Sequence, residues 1–168
     1  MKIKQSILIL SSMLMFSFSF SQGIDRQLSK VPVIVAESGI RSITVSSNID
    51  LLLINAGADD VKTSVPTESV DKLLINYSGG KLKIATRRYL PLDERIAVYV
   101  YVNGLESLTV TGNAFARSRD ILDAYNLKVN IEDEAKVAIR SRGKMRVNAP
   151  ENYKRIEEER YHLVLSTE

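Results

Sequence analysis

From Ile40 onward the chain is written in short alternations of apolar and polar residues. Ile43 and Val45 flank Thr44, and Ile49, Leu51 and Leu53 share one side of the next run, whose other side carries Leu52 and Ile54. Further runs follow at Val61–Val65, Leu73–Tyr77 and Lys81–Thr86, then at Ile96–Val102 and Leu105–Val110. In Ile96–Val102 the valines 98, 100 and 102 oppose Tyr99 and Tyr101. A period of two places alternate side chains on opposite faces of a strand. β-branched and aromatic residues suit such a half-buried pleated surface. The pattern therefore predicts many short strands. Asn103-Gly104 reads as a two-residue hairpin turn joining the last two runs, and Ser78-Gly79-Gly80 as another hairpin. Val31–Val35 contains Pro32, which cannot donate to a ladder, so it is at best an edge strand.

In the second half one triplet recurs: Leu108-Thr109-Val110, Leu127-Lys128-Val129 and Met145-Arg146-Val147. Val110 and Val129 are 19 residues apart, Val129 and Val147 are 18 apart, and Ala135–Arg140 supplies a further strand between them. Near-constant spacing predicts an all-β, β-helix or solenoid-like stack, each layer burying its face on the next. The alternative is an antiparallel β-sandwich. Pro150, Glu151 and the charged run to Arg160 predict a short C-terminal helical turn, with Tyr153 and Ile156 on one side. Tyr161–Leu165 then reads as a last strand, and the tail as a cap on the stack.

The order of these elements is distinctive. Ile40, Ile43, Val45, Ile49, Leu51 and Leu53, then Gly57, Gly80-x-Leu82-x-Ile84, Val98-x-Val100 and Leu105-x-x-Leu108-x-Val110-x-Gly112 resemble the head GIN domain family. Its members are described as "putative auto-transporter adhesins". The resemblance covers about residues 40–148 and implies an exported protein of β-helix-like stacked strands with a binding role. It supplies no catalytic residue. The family's later coils are rich in Ser-Gly and Ala, whereas Glu132-Asp133-Glu134-Ala135 has no glycine. That departure, and the charged tail, suggest a short or degenerate member.

The first residues change the picture of charge and compartment. Lys2 and Lys4 precede an uncharged run, Ser6–Phe20, and Ser19-Phe20-Ser21 places small residues at the cleavage positions before Gln22. Residues 1–21 thus read as a secretory signal peptide. The uncharged run is shorter than the roughly 20 residues of a spanning helix. The expected organisation is signal peptide 1–21, leader and edge segment 22–39, and one β domain, 40–168. The whole chain has 23 Lys and Arg against 20 Asp and Glu, a net charge of +3. Cleavage would remove two lysines and leave about +1, which ends the case for nucleic acid from global charge. There is no cysteine, so neither disulfide nor thiolate metal site is available. The expected location is the periplasm or cell surface of a Gram-negative bacterium, with no transmembrane helix in the mature chain.

Candidate chemistry is sparse. The single histidine, His162, sits between Tyr161 and Leu163 in a terminal strand. No nucleophile elbow, phosphate loop or paired-histidine motif is present. Asp59-Asp60, Asp93-Glu94 and Glu132-Asp133-Glu134 fall in predicted turns, where acids are ordinarily solvated. The expectation is a protein that is not an enzyme and takes no cofactor or metal. Arg140, Arg142, Lys144 and Arg146 recur every second residue, with Arg117 and Arg119 one interval earlier, and could line a basic strip facing an acidic polymer. The same charges serve equally as a solvated face that discourages edge pairing. Tyr99 and Tyr101 could stack sugar rings or be covered by a neighbouring element. Two functions follow: a non-catalytic binding or adhesion module for an acidic glycan or other envelope polymer, or an assembly protein packing its apolar strand face on a protein partner or second copy.

Overall fold

The computed structural model describes residues 30–35, 39–57, 62–91, 93–151, 153–159 and 162–167. The signal segment 1–21, the leader through Gln27, the turn at Glu37-Ser38 and the Asp59-Asp60 pair lie outside the described residues.

The predicted alternations become strands β1 (Lys30–Val35), β2 (Ser42–Val45), β3 (Ile49–Asn55), β4 (Lys62–Pro66), β5 (Leu73–Ser78), β6 (Lys81–Thr86) and β7 (Ile96–Val102). They continue as β8 (Ser107–Val110), β9 (Phe115–Ser118), β10 (Asn126–Ile131), β11 (Lys136–Arg140), β12 (Lys144–Asn148), β13 (Tyr153–Glu159) and β14 (His162–Thr167). A 3-10 helix, Thr67–Lys72, connects β4 to β5.

Two mixed sheets result, neither closed into a barrel. One has the order β1-β4-β7-β3-β9-β11-β14-β13 and the other β12-β10-β8-β2-β6-β5. β7, β3, β9 and β11 pair in parallel, as do β12, β10, β8, β2 and β6. Antiparallel strands close both flanks of the eight-stranded sheet and the β5 flank of the other, whose far edge is the parallel strand β12. The first of the parallel-paired strands in sequence are central in space: β2 lies between β6 and β8, and β3 between β7 and β9.

One apolar core joins the sheets. Ile43, Leu82, Leu108 and Leu127 from one meet Leu51, Val98, Ala116 and Val137 from the other, and all are essentially inaccessible to water. Burial alternates along β7 and β8 as the sequence pattern requires. One buried group is misplaced: Thr63 of β4 is fully buried, and its hydroxyl has no hydrogen-bond partner among the described residues. A buried unsatisfied hydroxyl is destabilising. Thr63→Val keeps the shape and removes the orphan, so it should stabilise the fold by about 1 kcal/mol, seen as a higher urea midpoint. An unchanged or lower midpoint would rule this out.

The structure corrects three expectations. Asn103-Gly104 is not a hairpin: β7 and β8 belong to different sheets. Gly104 adopts φ +70°, but the chain there turns a corner between layers. A two-residue turn signal specifies a reversal of direction, and the core faces of both strands decide which sheet each joins. By contrast Ser78-Gly79-Gly80 does form a hairpin, β5–β6, with both glycines at positive φ.

The repeat register also moves. Val129 pairs with Leu108 and Ile131 with Val110, a spacing of 21 rather than 19, while Val129 pairs with Val147 as expected. A slip of two residues keeps every side chain on its face, so alternation cannot detect it.

The predicted helical turn from Glu151 is instead β13, paired antiparallel with β14, with a register irregularity between Arg155 and Glu157. Pairing with β14, itself bonded to β11, overrides the local helical signal.

Candidate functional site

The outer face of the six-stranded sheet is set by register. One row across the strands runs Asn76, Lys83, Thr44, Thr109, Asn130 and Asn148. The next runs Ser78, Lys81, Ser42, Ser107, Lys128 and Arg146. Core residues alternate with these, so their side chains point outward. The centre is small and polar, with Asn130 Nδ2 donating to Thr109 Oγ1 at 3.2 Å. The flanks are cationic: Lys81 and Lys83 on β6, Lys128 on β10, and Lys144 and Arg146 on β12, all exposed. Neither row contains a carboxylate, and none of these five cations is ion-paired among the described residues. With strands about 4.8 Å apart, β6 and β12 are separated by roughly 19 Å. A depression of about 440 Å³ lies over Asn76, Ser78, Gly79, Lys81 and Lys83.

The four basic residues picked from the sequence do not form one strip. β11 ends at Arg140, the chain turns through Ser141–Gly143, and β12 begins in the other sheet at Lys144. The every-second-residue spacing therefore crosses a corner, where alternation no longer fixes a common face. Arg140 donates from Nη2 to the Arg119 carbonyl at 2.6 Å. Arg142 pairs with Asp123 at 3.0 Å. Lys144 and Arg146 do belong to the cationic face just described. Lys81, Lys83 and Lys128 were missed, because their alignment across strands depends on parallel register rather than on closeness in sequence.

Tyr99 and Tyr101 lie on the other side of the molecule, on the outer face of the eight-stranded sheet, both half-buried. The Lys30 ammonium stands 3.6 Å from the Tyr99 ring centre, and that of Lys62 5.1 Å from Tyr101. One face of each ring thus meets a cation. These tyrosines and the β12 cations are not parts of one site.

A second feature follows from the stacked corners. Ser47, Gly112 and Asp133 each come two residues after the end of β2, β8 or β10 and share positive φ, at 70°, 66° and 58°. Backbone bonds carry the parallel register into these turns: Thr111 N to Val45 O and Glu132 N to Val110 O, each 3.0 Å. The glycine that seemed to be lacking at Glu132-Asp133-Glu134 is replaced by Asp133 in the left-handed conformation, which aspartate tolerates better than most residues. Its carboxylate accepts from Thr111 Oγ1 at 2.5 Å and from Gly112 N at 3.0 Å. The Thr111 hydroxyl and then the Gly112 amide hold its carboxyl below the ordinary carboxylate range, against a smaller opposing effect of desolvation.

A carboxyl whose folded pKa is depressed adds stability that is complete above its unfolded pKa of about 4 and is lost as pH falls through the lower folded value. Asp133→Asn keeps an acceptor and tolerates the turn. The stability difference between wild type and this variant should accordingly shrink as the pH is lowered from 6 to 2. Urea midpoints across that range test it, and a difference independent of pH would exclude the linkage.

Among the described residues no group of three or more His, Asp or Glu converges as metal ligands. No helix there is long and apolar enough to cross a membrane. Fold and face together define a two-sheet, mostly β protein with an array of polar and cationic side chains on the outer face of one sheet.

The sequence profile described as "Putative auto-transporter adhesin, head GIN domain" matches residues 40–151, and the chain belongs to that family. No curated protein matches it. Among solved structures it is similar to a protein described as a putative adhesin from Parabacteroides merdae, with a TM-score of 0.55 and 16% identity over 72% of this chain and 51% of that one. A putative adhesin from Bacteroides fragilis gives a TM-score of 0.51 at 11% identity, covering 73% of this chain and 62% of that one. A protein from Parabacteroides distasonis described as a putative lipid binding protein gives 0.50 at 11% identity, covering 73% and 58%. These likenesses show the fold. The chain spans about half to three fifths of the length of the structures it resembles.

Proposed function

We propose that this chain is a non-catalytic, adhesin-like module that binds an acidic envelope or extracellular polymer along the outer face of its six-stranded sheet. One observation supports this above the rest: five exposed cations on that face, Lys81, Lys83, Lys128, Lys144 and Arg146, have no carboxylate partner among the described residues. Polar groups between them can hydrogen-bond a hydrated polymer, and repeated weak contacts add by avidity. The parallel pairings in both sheets favour a solenoid-like stack over a sandwich, with β2–β3, β6–β7, β8–β9 and β10–β11 as its layers. Residues 1–21 act as a cleaved signal peptide in this reading, and the site of action is the periplasm or cell surface of a Gram-negative bacterium. The family's description as adhesin rather than enzyme agrees with it.

The test is retention of the purified protein on an immobilised polyuronate and on a neutral glucan, at low and high salt. Preference for the polyuronate, lost at high salt, is expected. Changing Lys128 and Arg146 together to alanine should weaken it roughly tenfold, at about 0.5–1 kcal/mol per exposed charge contact. Equal retention on both polymers, or an unchanged double variant, would overturn the proposal.

A further inference from the structure

The stacked turns that hold Asp133 form one wall of a groove of about 580 Å³. The segment after β6 continues the same row beyond the β2 corner; there Arg88 and Tyr89 project into solvent, Tyr89 with 84% of its surface exposed. That segment is held firmly. Arg87 donates from its backbone N to the Lys72 carbonyl at 2.8 Å and from Nε to the Leu73 carbonyl at 2.9 Å. Buried Asn48 donates from Nδ2 to the carbonyls of Leu90 at 3.2 Å and Pro91 at 2.8 Å.

Along the row from Tyr89 the successive corners offer small polar groups: Ser46 and Ser47 first, then Thr111 and Asn113, then the Asp133 carboxylate, with the β6 and β10 strands roughly 14 Å apart at about 4.8 Å per strand. A single exposed tyrosine is ordinary on a protein surface. Here it lines a groove within the range of small-ligand sites, on a braced segment at one end of a row of hydroxyl, amide and carboxylate groups. A flat ring with a polar tip, continued by a row of acceptors and donors, fits the apolar face of one sugar and the hydroxyls of the next. Charge gives only weak selection: of the two lining arginines Arg87 is engaged with the Leu73 carbonyl, and the Asp133 carboxylate is opposite in sign to Arg88.

We propose that this corner groove binds a short neutral saccharide of a few pyranose units, one stacked on Tyr89 and another hydrogen-bonded by Asn113 and the Asp133 carboxylate. It is distinct from the cationic sheet face and does not depend on that face binding anything. The braced segment limits the ordering cost of binding.

The experiment is a titration of the full-length protein, labelled with nitrogen-15, with glucose, galactose, mannose, N-acetylglucosamine and their short oligomers. It is run in roughly 0.5 M salt, where attraction between exposed charges is screened. Saturable shifts of the Gly112 amide and the Asn113 backbone and side-chain amides are expected. Tyr89→Ala should weaken binding roughly fivefold to tenfold, the scale of one aromatic contact. Because Tyr89 is exposed, the rest of the variant's spectrum should be unchanged. No saturable shift with any of these sugars up to 50 mM, shifts clustered elsewhere, or full affinity in Tyr89→Ala would each overturn the proposal. A parallel titration with glucuronic acid at low salt is the comparison, and binding confined to it would also overturn the proposal, transferring sugar recognition to the cationic face.

Discussion

Gly143→Ala is expected to lower the thermal midpoint by about 10 °C, corresponding to roughly 3 kcal/mol for a domain of this size. A Cβ at Gly143 would lie 2.1 Å from the Tyr125 carbonyl oxygen and 2.3 Å from its Cα. Both are backbone atoms, so no rotamer change relieves the overlap. The corner is also fixed by its hydrogen bonds: Gly143 N to Ala124 O at 3.1 Å, Lys144 N to Tyr125 O at 2.9 Å, and Ser141 Oγ to Ala124 O at 2.6 Å. The added methyl must therefore push the entry to β12 away from the entry to β10. Gly104→Ala is the comparison. Gly104 has φ +70° but nothing near its missing Cβ, so that change incurs only left-handed backbone strain, about 1–2 kcal/mol. If Gly104→Ala proves as damaging as Gly143→Ala, close approach at Gly143 is not the governing effect.

Leu108→Ala should destabilise by about 3–4 kcal/mol, within the range for burying a cavity where a leucine stood. Leu108 is fully buried on β8, in register with Ile43 of β2 on one side and Val129 of β10 on the other. Strands bonded on both sides limit how far this site can collapse. Leu74, on the edge strand β5 and 53% exposed, is the control. Leu74→Ala should change stability by less than about 0.5 kcal/mol. Equal urea midpoints for the two variants would show that β8 is not the packed centre.

Much of the strand content was readable because alternation reports burial directly, as at Ile43–Val45 and Ile96–Val102. β9 was not: Phe115-Ala116-Arg117-Ser118 has one small core residue, Ala116, registered against Leu51 and Val137. Alanine gives no strand signal. The order of strands was equally hidden, because nothing local tells β2 that its neighbours are β6 and β8. The basic site was read from neighbours in sequence, although the cations that share a face do so through register between distant strands. Asp133 was misjudged because the turn needs a residue that tolerates positive φ, and composition alone looks for glycine.

The central position of β2 and β3 bears on how the molecule assembles. In a solenoid wound in chain order, each new layer adds to a finished one and stability accumulates by increments. Here Ile43 pairs with Leu82, 39 residues later, and with Leu108, 65 residues later. The earliest of these strands to be synthesised cannot have both its edges satisfied until two later segments arrive on opposite sides. Folding must close long loops before it is rewarded and is slowed accordingly. Unfolding cannot proceed by peeling strands in sequence order, since removing β2 and β3 parts β6 from β8 and β7 from β9. The consequence is a cooperative, all-or-none transition.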